Sequence, residues 1–476
     1  MDYPDLHLVI DGDHVASRER ENTPVLNPAT GEAIADLPHA TAADLDRALL
    51  SADRAFLGWR ATAPAVRARI LREGAALIRQ RVDAIARVMT LEQGKPLAES
   101  RGETLFAADV IDWYAEEGRR AYGRVVPSAP GVRQLVVREP VGVSVAFTPW
   151  NFPALTPARK IGGALAAGCT LVLKAAEEAP GVAYQLVKAL HDAGLPNGVL
   201  NLVFGNPEDI SQHLLASPLT RKMSFTGSTQ VGKVLAKRAA DNLLRTTMEL
   251  GGHAPVLVFA DADIDQAAST LAAAKFRNAG QVCISPTRFF VQAPAFERFV
   301  DRFAAAATAL RVGDGLEAGV QMGPLANARR VVAMERLIAD AVSRGAVVRA
   351  GGSRIGNRGN FFAPTVITDL PDESLLMTEE PFGPVAPICS FETHSEALQR
   401  ANSLPVGLAA YAFTRDNATA IAVGDGLRAG MVGVNTMAVS TPETPFGGVG
   451  WSGHGREGGI EGLDAYLETK LIAHAA

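Results

Sequence analysis

A lone cysteine in the phrase Gly280-Gln281-Val282-Cys283 and a carboxylate in the phrase Met248-Glu249-Leu250-Gly251-Gly252 are two reagents that together can make and then hydrolyse a thioester. The thiol is a soft nucleophile toward a carbonyl carbon, and a carboxylate held nearby can deprotonate the water that later releases an acid. Covalent oxidation of an aldehyde is the chemistry this pair suits. The plainer alternative makes Cys283 a small buried hydrophobe, as most free cysteines are, and Glu249 a surface charge. The other two cysteines, Cys169 and Cys389, lie far away with no CxxC spacing, so neither a disulfide framework nor a structural zinc site is indicated. No metal is expected, and a reducing cytoplasm fits.

Two such side chains need a scaffold, and 476 residues is roughly three times a typical single domain, enough for two or three domains. Charged residues make up 20%, hydrophobic ones 47%, and the net charge is −5, which argues against a nucleic-acid surface or a disordered polyelectrolyte. Small molecules are the expected partners. The first twenty residues lack the basic start and apolar core of a signal peptide. The longest charge-free stretch, residues 140–158, holds Pro149, Pro153 and Pro157, which would break a membrane-spanning helix. No membrane contact is expected.

From residue 41 to about 122 apolar residues recur at helical spacing, as in Ala75, Ile78, Val82, Ile85 and Met89, and Gly94 with Pro96 ends one helix. Residues 141–248 alternate short apolar runs (141–147, 170–174, 199–203, 222–225) with helical stretches such as 154–167, which predicts right-handed βαβ units around a parallel sheet. A second α/β run begins near residues 255–259, followed by a helix over 264–278. Cys283 therefore falls close to a junction between domains, where ligand clefts form. Residues 466–474 read as a closing strand, either an extension onto another subunit or an ordinary terminal strand.

Two glycine-rich phrases are decoys. Residues 453–458 match GxGxxG but follow no legible strand and leave no room for an acidic ribose ligand downstream. Residues 227–234 nearly spell a P-loop, yet Val234 stands where a magnesium-binding hydroxyl is needed. A strand running through Thr226-Gly227-Ser228 into a helix still offers free N–H groups to a pyrophosphate. Upstream, Lys174 and Glu177 form a pair able to hydrogen-bond ribose hydroxyls, with Glu177 favouring NAD over NADP; an exposed salt bridge between them is the alternative.

Six phrases in order make the pattern specific: Pro149-Trp150-Asn151-Phe152-Pro153, Phe225-Thr226-Gly227-Ser228, Glu249-Leu250-Gly251-Gly252, Gly280-Gln281-Val282-Cys283, Glu379-Glu380-Pro381-Phe382-Gly383-Pro384 and Pro445-Phe446-Gly447-Gly448. Together they resemble the non-acylating, NAD(P)-dependent aldehyde dehydrogenases over essentially the whole chain. Residues 113–118 and 276–281 resemble the succinate-semialdehyde dehydrogenase branch, and residues 248–255 and 282–288 the bacterial α-ketoglutaric semialdehyde dehydrogenases within it.

The resemblance implies an α/β fold of two Rossmann-type parallel-sheet domains plus a small β oligomerisation extension. Residues 1–121 and 141–250 would bind NAD(P), 251–448 would form the catalytic domain, and 122–140 with 460–476 would build the extension of a homodimer or homotetramer. It further implies Cys283 as nucleophile, Asn151 as oxyanion donor and Glu249 as the base that activates water. Trp150, Lys174, Glu177, Gly227, Ser228, Glu380 and Phe382 would contact NAD, with NADP also possible. Arg159 and Arg277 would hold the far carboxylate of the substrate, helped by Ser440 or Thr441; a guanidinium fork suits a carboxylate, and a salt bridge to a neighbouring acid is the alternative for each. If the chain between Arg277 and Cys283 were helical, about 9 Å of axial rise would separate them, a span for a four- or five-carbon semialdehyde.

Succinate semialdehyde is the first expected substrate, with 2-oxoglutarate semialdehyde and 3-sulfolactaldehyde as alternatives. A coenzyme A-acylating enzyme would share the cysteine but has little use for Glu249. Ser285 stands where many succinate-semialdehyde dehydrogenases carry a second cysteine, so no regulatory disulfide is expected. His253 and His454 occupy variable positions, each able to tune substrate choice or to serve as a structural hydrogen-bonder.

Overall fold

The apolar runs of the first α/β segment are too short to be helices and are separated by crossovers long enough to return over a sheet, so they pair in parallel. In the computed structural model, which describes residues 3–17 and 20–475, these four and a fifth strand, Arg245–Glu249, lie side by side in the order Leu200–Val203, Thr170–Lys174, Val143–Phe147, Thr220–Thr226 and Arg245–Glu249. Every residue of Val143–Phe147 and Thr170–Lys174 is buried, as parallel strands covered on both faces must be. The strand order reverses beside Val143–Phe147. Ligands bind open sheets of this kind at that reversal, outside the carboxyl ends of the strands.

From the carboxyl end of Arg245–Glu249 the chain enters Ala254–Val258, a strand of a seven-stranded sheet, after a short link. That sheet runs Val347–Ala350, Thr365–Thr368, Val385–Phe391, Pro286–Gln292, Ala254–Val258, Ala409–Phe413, Met431–Val434, and only the first strand is antiparallel. Each sheet has its own core. The first gathers residues from Leu6 to Leu250 together with Leu463, Tyr466 and Leu467; the second runs from Ala254 to Phe446.

A small third sheet pairs Leu467–Ala475 with Val132–Pro140 across nine residues and adds Arg124–Val126. Leu467–Ala475 is buried only at its first residue, so its outer edge stays open.

Several elements differ from the sequence expectations. Leu8–Ile10 and Asp13–Val15 join the edge of the first sheet as antiparallel strands, too short to show a period. The helix expected over 264–278 stops at Phe276, because Asn278, Ala279 and Gly280 adopt φ of 50°, 52° and 72°. Residues 453–454 return to pair with Met248 and Glu249, so the segment expected to start the extension at 460 packs against the first core as far as Leu467. Residues 1, 2, 18, 19 and 476 of the expected domain segments lie outside the described residues.

Candidate active site

Between the carboxyl end of the first sheet and the amino end of the second lies a cavity of about 1220 Å³. Cys283, Glu249 and Asn151 line it, as do Trp150, Gly227, Ser228, Glu380 and Phe382, and Arg159, Arg277 and Ser440. Lys174, Glu177 and Thr441 do not.

Cys283 reaches the cavity through a turn rather than a helix, which corrects the helical span expected between it and Arg277. Ala279 in the left-handed region costs about 1–2 kcal/mol and Asn278, which tolerates it, less; such strain collects at functional sites. Gly280, the third, has no substitute: a Cβ there would overlap the carbonyl of Gly383. The Cys283 thiol is pushed up to about 12, first by burial and then by the Glu380 carboxyl. Cys169 and Cys389 are each buried in a separate core, and Ser285 donates to the Pro286 carbonyl at 3.4 Å.

Asn151 sits in the loop that leaves Val143–Phe147. Its carbonyl accepts from Lys95 Nζ at 2.8 Å, and Lys95 is ion-paired with Glu103; both are buried. Glu103 also accepts the N–H of Ala154 at 2.8 Å and of Leu155 at 3.2 Å, fixing the start of helix Leu155–Ala167. The Asn151 side-chain Nδ2 donates one hydrogen to the Gln281 carbonyl at 3.1 Å. An amide nitrogen has two, and the second has no partner among the described residues.

Glu249 closes its strand with both carboxylate oxygens buried and without a partner among the described residues. Burial and the Glu457 carboxyl push it well above the usual carboxylate range, while Lys160 and Arg159 pull the other way. Lys160, fully buried, is ion-paired with Glu457 and donates to Thr226 Oγ1 at 2.8 Å and Ser224 Oγ at 3.1 Å.

On the same cavity, buried Arg159 donates from Nη2 to Ser440 Oγ at 2.7 Å, and its guanidinium lies 3.9 Å from the centre of the Phe446 ring. Arg277 is exposed, 5.6 Å from the centre of the Phe152 ring. Among the described residues neither arginine pairs with a carboxylate within 4 Å, so the salt-bridge alternative does not hold for either. Thr441 turns away and bonds to Thr444; of the two expected hydroxyls only Ser440 reaches the site.

The helix Thr229–Asp241 is capped by Ser228, whose hydroxyl takes the Val231 N–H at 3.4 Å. The N–H groups of Thr229 and Gln230 in its first turn point beyond the helix, where an anionic pyrophosphate can use them. Lys233, the lysine of the near P-loop, instead sits 3.6 Å from the centre of the Trp451 ring. Glu380 accepts the Gly252 N–H at 3.2 Å and is pushed up to about 7 by burial. Phe382 meets Trp150 edge to face at 5.5 Å. A carboxylate, a flat aromatic wall and a helix start on one cavity fit a dinucleotide.

Lys174 and Glu177 are ion-paired with each other and do not line the cavity, and Glu177 lies in the loop before helix Pro180–Asp192. Neither histidine is at the site. His253 is buried between Thr287 Oγ1 at 2.8 Å and the Leu376 carbonyl at 3.1 Å, and burial lowers it well below the usual range, so it is neutral. His454 bonds to Thr246 on the sheet edge. Among the described residues no group of three or more His, Cys, Asp or Glu is placed to hold a metal ion, and no helix is long and apolar enough to cross a membrane.

Sequence reasoning passed over Lys95, Glu103, Lys160, Asn278 and Glu457. The glycine-rich phrase set aside as a nucleotide decoy is the one that carries Glu457. The run Asn278-Ala279-Gly280, with two residue types tolerant of positive φ, was the available signal for the turn.

The aldehyde dehydrogenase family profile matches residues 14–472. The chain is 48% identical over 470 residues to a 4-(hydroxymethyl)benzenesulfonate dehydrogenase of Comamonas testosteroni, covering 98% of each. It is 43% identical over 465 residues to the NADP(+) succinate-semialdehyde dehydrogenase of Escherichia coli (strain K12), covering 98% of this chain and 96% of that one. A crystal structure of succinate-semialdehyde dehydrogenase from Burkholderia pseudomallei superposes with a TM-score of 0.97 at 43% identity, covering 99% and 98% of the two chains.

Proposed function

Because the chain belongs to the aldehyde dehydrogenase family, we propose that it oxidises short aldehydes carrying a distal anion to the corresponding acids, with succinate semialdehyde first. The carrying observation is Arg159: a buried guanidinium held by Ser440 and Phe446, without a carboxylate partner among the described residues, on the cavity that contains Cys283. A buried cation with spare donors is stabilised by an incoming anion. Exposed Arg277, on the same cavity, would supply a second fork.

In this reading Cys283 Sγ attacks the aldehyde carbon. The free N–H of Asn151 and the backbone N–H of Cys283 meet the oxyanion that forms, each donor supplying about 3 kcal/mol. Gly227 and Ser228 would hold the pyrophosphate of NAD or NADP, Glu380 its ribose and Phe382 its ring; when bound, the cofactor would supply a positive charge that favours the Cys283 thiolate and a hydride acceptor. Glu249 then takes a proton from the water that hydrolyses the Cys283 thioester. Its burial beside Glu457 makes its carboxylate a stronger base than an exposed one.

Glu177 would favour NAD by repelling a 2′-phosphate, and residues 1–121 and 141–250 would form the cofactor domain, with 251–448 contributing the nucleophile. The open edge of Leu467–Ala475, where Leu471 is 60% exposed, supports assembly into a homodimer or homotetramer. The three free thiols suit the reducing cytoplasm.

A second reading has a sulfonate as the distal anion. It is favoured by Phe106, Phe152 and Phe446 on the cavity wall, room for an arene beside the arginines, and by the name of the Comamonas relative. 3-Sulfolactaldehyde and 2-oxoglutarate semialdehyde complete the set. Specificity constants for succinate semialdehyde, these two aldehydes, 4-formylbenzenesulfonate and acetaldehyde, measured without coenzyme A, test both readings. A higher value for acetaldehyde than for every anionic aldehyde would remove the anion site.

A further inference from the structure

We propose that Asn278 is a positioning residue that aims the Asn151 carboxamide at the oxyanion. The proposal rests on the reading of Asn151 as an oxyanion donor and adds to it the residue that holds that donor in place.

Asn278 is the hub of a buried polar network behind Cys283. Its Nδ2 donates to the Asn151 carbonyl at 3.0 Å and to the Gln281 carbonyl at 3.2 Å. Its Oδ1 accepts from Gln93 Nε2 at 2.8 Å, and its backbone N–H donates to Glu99 Oε2 at 2.9 Å. Its own carbonyl accepts from both the backbone N–H and the side-chain Nε2 of Gln281, each at 3.0 Å. Every polar group of the residue is engaged, and it is 2% exposed.

Two of these bonds converge on Asn151. One pins its backbone. The other shares the Gln281 carbonyl, which is also the anchor of the Asn151 side-chain Nδ2 at 3.1 Å. That carbonyl has two lone pairs, and the two amides occupy one each. Without the Asn278 amide, the Asn151 backbone loses an anchor and the Gln281 carbonyl becomes free to swing. The free Asn151 N–H then no longer has a fixed direction, and an oxyanion donor acts through being held ready in place. The left-handed φ of 50° at Asn278 is a separate matter, since Asn tolerates it and Gly does so at no steric cost.

Asn278→Gly separates the two roles: it keeps the backbone conformation and deletes the carboxamide. Asn278→Gly, Asn151→Ala and the double variant are compared by the single-turnover rate of NADH formation from succinate semialdehyde and NAD, alongside NADH affinity by fluorescence and KM. The expected result is a rate about tenfold or more lower in Asn278→Gly, with NADH affinity and KM within about twofold of the parent. Asn151→Ala falls by about 10²-fold, and adding Asn278→Gly to it lowers the rate no further. Effects that multiply in the double variant, or a parental rate in Asn278→Gly, overturn the proposal. A parental rate in Asn151→Ala overturns the oxyanion reading itself and this inference with it. Should Asn278→Gly fail to fold, Asn278→Asp is read in the same cycle: it keeps the size and the tolerance of positive φ while turning the two Nδ2 donors into an acceptor.

Discussion

Arg159 and Ser440, 281 positions apart, meet through a 2.7 Å hydrogen bond that holds a buried guanidinium against the Phe446 ring. The arginine comes from the first crossover helix after the strand-order reversal, the serine from the last loop of the second sheet's segment. Their meeting makes the proposed anion site a joint product of both segments.

Arg159→Leu removes the buried donor without adding a charge. The specificity constant for succinate semialdehyde should fall about 10- to 100-fold, the worth of one hydrogen bond to a charged group. That for butanal, of similar length and uncharged, should change by less than threefold. Equal losses for both aldehydes would mean that Arg159 supports the fold and not the anion.

Glu249→Gln keeps the shape of the side chain and removes its basicity. Rapid mixing with NAD and aldehyde should still give a burst of NADH of about one equivalent per active site, while steady turnover falls by about 10²- to 10⁴-fold because the thioester accumulates. Intact-mass measurement of the acylated chain checks it. Loss of the burst would assign Glu249 to an earlier step.

The Glu380 carboxyl, raised by burial to about 7, accepts hydrogen bonds from ribose hydroxyls best when ionised. NADH affinity should therefore tighten as pH rises through about 7 and level off above it, since the protonated form dominates below. In Glu380→Gln the same titration by NADH fluorescence should be flat and weaker. A slope that survives the substitution would belong to another group.

Glu177→Gln releases Lys174 from its ion pair and removes a charge that repels a 2′-phosphate. The ratio of specificity constants for NADP over NAD should rise about tenfold, a change of ~1.4 kcal/mol. An unchanged ratio would take that role from Glu177.

Much of the scaffold was legible because its signals are local. Residues 170–174 are a strand within the bounds their apolar run predicted, and the helical spacing from residue 41 corresponds to Ala42–Ala61, Pro64–Gln80, Val82–Gln93 and Leu97–Glu117. The three-residue strands at the amino terminus escaped, since a period cannot be read over three residues. The helix over 264–278 was overextended, since the positive-φ turn that ends it at Asn278 is held by Glu99 and Gln93, which are 179 and 185 positions away in the chain.

By itself the amino-acid sequence determined which reagents are present: a thiol, a carboxylate and a carboxamide in flanks that build strand ends and tight turns, along with two arginines suited to an anion. Tertiary structure decided which of them share a cavity, chose Ser440 over Thr441, turned both histidines and Lys233 away, and added Lys160 with Glu457 behind Glu249. The reason is physical. Local backbone preference acts over a few residues and leaves its mark in spacing, whereas Glu99 with Asn278 and Arg159 with Ser440 are partners because two buried cores pack against one another, and Lys160 with Glu457 because the end of the chain returns to the first core, relations that no local period in the chain records.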